Sequence, residues 1–145
     1  MFNNAGISIY AFKPNALGPN NTDGEVEYAL KAAKALGANS VTIELPTDPK
    51  QSQRLGDLAS KHKVYIGYHA HLQATDTAWD AALAQSPYNS LNLDCGHYIA
   101  AGGPNTRAVV PTRVFVFCLM FLMCFFLNHI DCQGRLCFLI DRLKA

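Results

Sequence analysis

The chain has 145 residues, 50% of them hydrophobic, and a formal net charge of +1. That length allows one domain with a real core, and so even a balance of charge excludes bulk attraction to nucleic acid. The averages conceal a break. All six Tyr lie at or before Tyr98, six of the eight Phe lie at or after Phe115, and the last Glu is Glu44. Four of the five Cys are Cys118, Cys124, Cys132 and Cys137. A single domain seldom changes composition so sharply. Residues 1–105 are therefore expected to form one unit, and 106–145 a hydrophobic tail of different origin. The start lacks the basic-then-apolar pattern of a signal peptide. Cys95 is the one cysteine of the first unit, which fits a reducing compartment, so a cytoplasmic location is expected.

In chain order, residues 6–12 read as a strand and 13–21 as a loop broken by Pro14, Gly18 and Pro19. Thr22-Asp23-Gly24-Glu25 has capping-box spacing. Val26, Ala29, Leu30, Ala33 and Leu36 follow at helical spacing, and Gly37 is a suitable stop. Residues 40–45 read as the next strand. Pro49 suits the first turn of a helix with Leu55, Leu58 and Ala59 on its apolar face. Residues 64–68 are a strand, Thr75 or Thr77 is expected to cap a short helix through Trp79, Ala82 and Leu83, and residues 90–94 close the series as a strand. Strand and helix alternate throughout, the pattern of an α/β fold with a parallel sheet.

The tail follows other rules. Residues 114–127 hold no polar side chain apart from two cysteines. That run is shorter than the roughly 20 residues of a straight membrane-spanning helix, so membrane association is the lesser expectation. The tail cysteines lack the close paired spacing of a zinc site.

Two clusters carry the chemistry, each expected at a strand end. His69-Ala70-His71 places two imidazoles on one face of an extended segment. Asp94-Cys95-Gly96-His97 places a carboxylate one short turn from a third imidazole. Neighbouring parallel strands bring such groups together on one rim, where they suit a divalent metal or acid–base work. The plainer alternatives are that Asp94 caps the following turn and that the histidines bond backbone carbonyls. Glu44 ends its strand; a buried unpaired carboxylate is costly, so the rim is its expected home, as ligand, acid–base group or partner to a lysine. Tyr10, Lys13, Tyr68 and Trp79 are either pocket walls for a sugar-like ligand or packing residues. His62, between Lys61 and Lys63, suits a solvated helix end.

Gly6-Ile7-Ser8-Ile9-Tyr10, Ala32-Ala33-Lys34-Ala35-Leu36-Gly37-Ala38, Val64-Tyr65-Ile66-Gly67-Tyr68-His69-Ala70-His71 and Leu93-Asp94-Cys95-Gly96-His97-Tyr98 together resemble the sugar phosphate isomerase/epimerase family, over about residues 5–105. The resemblance implies a xylose-isomerase-like (β/α)8 barrel, here a partial one of about four βα units. It implies one divalent cation, Mn²⁺, Mg²⁺ or Zn²⁺, at the C-terminal rim. It also implies proton transfer beside the carbonyl of a ketose or polyol, through an enediolate. Asp94 matches a metal-binding Asp. His69 and His71 match a His-x-His form on the preceding strand, and are assigned as metal ligands. His97 matches a histidine that contacts substrate or metal. Glu44 and His97 are the catalytic candidates; His97, Tyr68 and Trp79 are the substrate-binding ones. A later "His-x-x-Lys-Asp" strand and a final ligand Glu are missing, and the tail is not homologous to the family. This points to a truncated or frame-shifted product with little or no turnover. An inosose-dehydratase-like lyase, a non-catalytic metal- or sugar-binding module, and a membrane-associated fragment are the other readings. Oligomeric state is left open.

Overall fold

The computed structural model describes residues 3–103. The expected tail, its apolar run 114–127, its four cysteines and the boundary at 105 lie outside the described residues. After a 3-10 turn at Asn3–Ala5 come β1 (Ala11–Phe12), α1 (Asp23–Ala35), β2 (Ser40–Glu44), α2 (Pro49–His62), β3 (Tyr65–His69), α3 (Asp80–Gln85), β4 (Asn89–Leu91) and α4 (Cys95–Ala100). The four strands form one parallel sheet in the order β1-β2-β3-β4. The fold is α/β, with four βα units of a partial barrel.

Local chemistry sets the helix ends. At the start of α1, the Thr22 N–H donates to Glu25 Oε2 at 2.7 Å, and the Glu25 N–H donates to Thr22 Oγ1 at 3.3 Å. This is the expected capping box. Gly37, at φ +79°, turns the chain out of α1, and the Ala38 N–H closes on the Ala33 carbonyl at 2.9 Å. Asp48 caps α2 through Lys50 N–H at 2.9 Å, with Pro49 in the first turn.

Parallel strands with crossovers of one hand, in sequential order, place their helices on one face. Tyr68 identifies that face: its hydroxyl reaches the Ser52 carbonyl on α2 at 3.3 Å. Alternation then turns Ile66 and Tyr68 toward the helices and Gly67 and His69 the other way. Val41, Ile66, Tyr68 and Leu91 join Val26, Leu30, Ala33, Leu55 and Ala59 in one buried cluster. Each Val, Leu or Ile among them contributes roughly 1.5–3 kcal/mol by leaving water.

Three sequence expectations are corrected. Strand 6–12 contracts to Ala11–Phe12, because its partner β2 begins only at Ser40. Strand 90–94 becomes Asn89–Leu91; after the Asn92 N–H donates to the Tyr68 carbonyl at 2.9 Å, the chain turns into α4. Neither Thr75 nor Thr77 caps α3 with its side chain, since that helix starts after Trp79 with no side-chain cap. The two threonine carbonyls accept from Ala78 N–H and Asp80 N–H instead, at 3.2 Å each, and spend the segment in turns.

Candidate metal and acid–base site at the strand ends

Glu44 and His69 are the last residues of β2 and β3 and stand opposite each other in register. Both therefore point from the same face of the sheet, away from the helices. The Leu45 N–H donates to the His69 carbonyl at 2.6 Å, which carries the pairing to the rim. His71 follows two residues later. Its N–H donates to Gln73 Oε1 at 3.2 Å, and the turn closes when Ala74 N–H reaches the His71 carbonyl at 3.0 Å.

His97 arrives from α4. Asp94 is the N-cap of that helix, and its Oδ1 accepts from His97 N–H at 2.9 Å. Its second oxygen stands 3.3 Å from His97 Nδ1. One carboxylate thus starts the helix and borders the imidazole. The ring centroids of His71 and His97 lie 4.4 Å apart, those of His69 and His71 4.6 Å, and those of His69 and His97 5.5 Å. One nitrogen from each ring falls within 4.8 Å of the other two.

Glu44 lies between two cationic or potentially cationic neighbours. Lys13 Nζ is 3.2 Å from Oε1, and His71 Nε2 is 3.1 Å from Oε2. The second approach is not aligned as a hydrogen bond, and neither is that of Asp94 to His97. Glu44 Oε2 and His97 Nδ1 are buried atoms without a hydrogen-bond partner among the described residues. Burial, the largest influence, holds the His69 pKa below the usual imidazole value; the charge of Glu44 opposes it, His71 adds to it, Asp94 opposes it and His97 adds to it. A histidine kept neutral keeps its lone pair for a ligand.

The donor set decides which ions fit. Bonds of about 2.0–2.1 Å place two nitrogens on a tetrahedral ion roughly 3.3 Å apart. The three rings, each with a nitrogen within 4.8 Å of the others, stand somewhat wider than that. Imidazole nitrogen suits Zn²⁺, Cu²⁺, Ni²⁺ and iron, whereas Mg²⁺ and Mn²⁺ favour oxygen. The trio fits a nitrogen-preferring divalent ion.

The structure gathers Glu44, His69, His71, Asp94 and His97 from the sequence-predicted set. It gives Asp94 Oδ1 the cap of α4 and His97 the third place in the nitrogen cluster. Tyr68 and Trp79 do not belong to the site. Tyr68 has 0% and Trp79 2% exposure. The Tyr68 hydroxyl is held by Ser52 and Asn89, and Trp79 Nε1–H donates to the Tyr68 carbonyl at 3.0 Å. Strand alternation turns Tyr68 to the helix layer, so neither ring has a face for a sugar. Sequence reading missed the floor of the site. Asn92 Nδ2–H donates to Thr42 Oγ1 at 2.7 Å, from beyond β4 to β2. It crosses β3 at Gly67, where an added Cβ would meet Asn92 Cβ at 3.3 Å. The only signal was a glycine inside an otherwise apolar strand.

No family model matches the chain, and no curated protein matches it. Its fold is similar to that of a sugar phosphate isomerase/epimerase from Parabacteroides distasonis, at 17% identity and a TM-score of 0.51, over 70% of this chain and 47% of that one. It is also similar to a xylose isomerase domain protein from Planctomyces limnophilus, at 14% identity and a TM-score of 0.61, over 80% of this chain and 55% of that one. The chain spans about half the length of these solved structures. At such identities the likeness is one of fold.

Proposed function

We propose that this chain carries a divalent-metal site of the sugar isomerase/epimerase kind. His69, His71 and His97 hold the ion, Glu44 is the proton-transfer carboxylate, and the substrate is a small ketose or polyol. The convergence of three imidazoles, from the end of β3, the connection after it and α4, carries the reading; the fold likeness supplies the substrate class. A bound ion supplies Lewis acidity toward a carbonyl. Glu44 takes and returns a proton at the neighbouring carbon, with Lys13 Nζ 3.2 Å from its Oε1. Asp94 acts on His97, fixing its helix and the orientation of its ring.

The test has two arms. Calorimetric titration with Zn²⁺ is expected to give one saturable site, lost in His97→Ala and His69→Ala. Incubation with a ketose panel and Zn²⁺ is expected to give slow isomer exchange that disappears in Glu44→Gln. Ion binding without any exchange sinks the isomerase assignment and leaves a metal-binding module. Absence of saturable binding sinks the site itself.

A further inference from the structure

The closest pair of rings, His71 and His97, comes from two segments far apart in sequence. His71 sits on the connection from β3 to α3, and His97 on α4, which is only six residues long. A helix of that length does not hold itself together in water. Something must fasten α4 to the connection that carries His71.

We propose that Tyr98 and Asp76 are that fastening, a positioning pair that holds His97 against His71. The Tyr98 hydroxyl donates to Asp76 Oδ1. Tyr98 follows His97 directly on α4. Asp76 lies on the same connection as His71, just beyond the turn that Ala74 closes on His71. A phenol donating to a carboxylate is a charge-assisted bond, stronger than a neutral one. The Tyr98 ring is immobilised as well. It is 0% exposed, the Gly103 N–H returns to the Tyr98 carbonyl at 3.0 Å, and any side chain at position 103 would run into the ring. The hydroxyl is thus held at a fixed place, and Asp76 is drawn to it. Asp94 sets the start of α4, and the Tyr98–Asp76 bond ties it sideways to the His71 connection.

The consequence for ion binding rests on the metal reading above; the consequence for ring geometry does not. Tyr98→Phe keeps the ring and removes the bond. Asp76→Ala removes it from the exposed side, and Asp76→Asn keeps an accepting oxygen. In the metal-free protein, proton–proton contacts between the His71 and His97 rings, read by NMR, are expected in wild type and Asp76→Asn and absent in Tyr98→Phe and Asp76→Ala. With Co²⁺ as probe, the two disrupting variants are expected to bind about tenfold more weakly, in the range seen when partners of metal ligands are removed. Asp76→Asn is expected to bind as wild type does. Ring contacts that persist in both disrupting variants overturn the brace, with or without an ion. A wild-type protein that takes up no Co²⁺ overturns the metal reading, while the ring contacts still decide the brace.

Discussion

Replacing Asp94 by Ala and by Asn separates its two roles. Its Oδ1 accepts from His97 N–H at 2.9 Å, and its Oδ2 lies 3.3 Å from His97 Nδ1. Ala removes both. Loss of an N-cap costs about 0.5–2 kcal/mol, whereas Asn caps about as well as Asp. In a folded unit of about 100 residues, 1 kcal/mol moves the melting midpoint by roughly 4–8 °C. Asp94→Ala is therefore expected to melt several degrees lower, with faster amide exchange confined to α4, and Asp94→Asn to melt near wild type. The two should agree in Zn²⁺ affinity. Asn keeps the capping oxygen but puts a neutral amide nitrogen where the charged Oδ2 stands 3.3 Å from His97 Nδ1, so both variants are expected to bind roughly 10–100-fold more weakly. Thermal melts, exchange and calorimetry on the same preparations decide the matter. If Asn destabilises as much as Ala, the cap argument is wrong; if Asn binds Zn²⁺ as wild type does, the orienting argument is wrong.

Three further outcomes follow from the same geometry. Zn²⁺ at about 100 times its dissociation constant should stabilise the fold by about 2.7 kcal/mol; a clear upward shift in melting that EDTA reverses is expected in wild type and none in His97→Ala. An added Cβ at Gly56 would meet Ser86 Cβ at 2.6 Å and Asn89 Oδ1 at 2.9 Å. Overpacking of this kind costs about 1–3 kcal/mol and outweighs the helix-propensity gain of up to about 1 kcal/mol, so denaturant unfolding of Gly56→Ala should show a lower midpoint, and an unchanged or raised one would mean that α2 simply lifts from the sheet. Burial lowers the His69 pKa in the fold, so as pH falls below about 6.5 the unfolded chain gains a proton before the folded one does. The stability due to neutral His69 is whole above that pH and is lost as pH falls through the lower, folded-state value. Urea midpoints from pH 7.5 down to 5 should show this decline, and His69→Gln should flatten it.

The alternation of apolar runs with helical spacing made the parallel sheet legible, because both faces and edges of the core obey simple periods. Thr22 and Glu25 marked a helix start that the fold uses, and Gly37 its end. The rim was legible in kind, since Glu44, His69, His71 and His97 all meet there. What the residues alone could not supply was the division of labour between Asp94 and His97. An Asp three residues before a His suits a ligand pair and a cap equally, and only the path of the chain after Leu91 shows that the cap takes Asp94 Oδ1. Tyr68 misled because it adjoins His69 in sequence, whereas successive strand residues face opposite ways, so a His69 on the rim sends Tyr68 to the helices. An unspecified lysine was readable as one option for Glu44; that it is Lys13 was not, because the contact spans 31 positions.

Gly67 has a consequence for what the rim can admit. It lies two residues before His69, on the same face of β3, with the Asn92–Thr42 bridge pressed over it. A bare backbone at that point lets the bridge lie low and leaves headroom beneath the imidazoles. A methyl group there would meet Asn92 Cβ at 3.3 Å and press the bridge off the strand. The height of the bridge is thus set by a residue with no chemistry of its own.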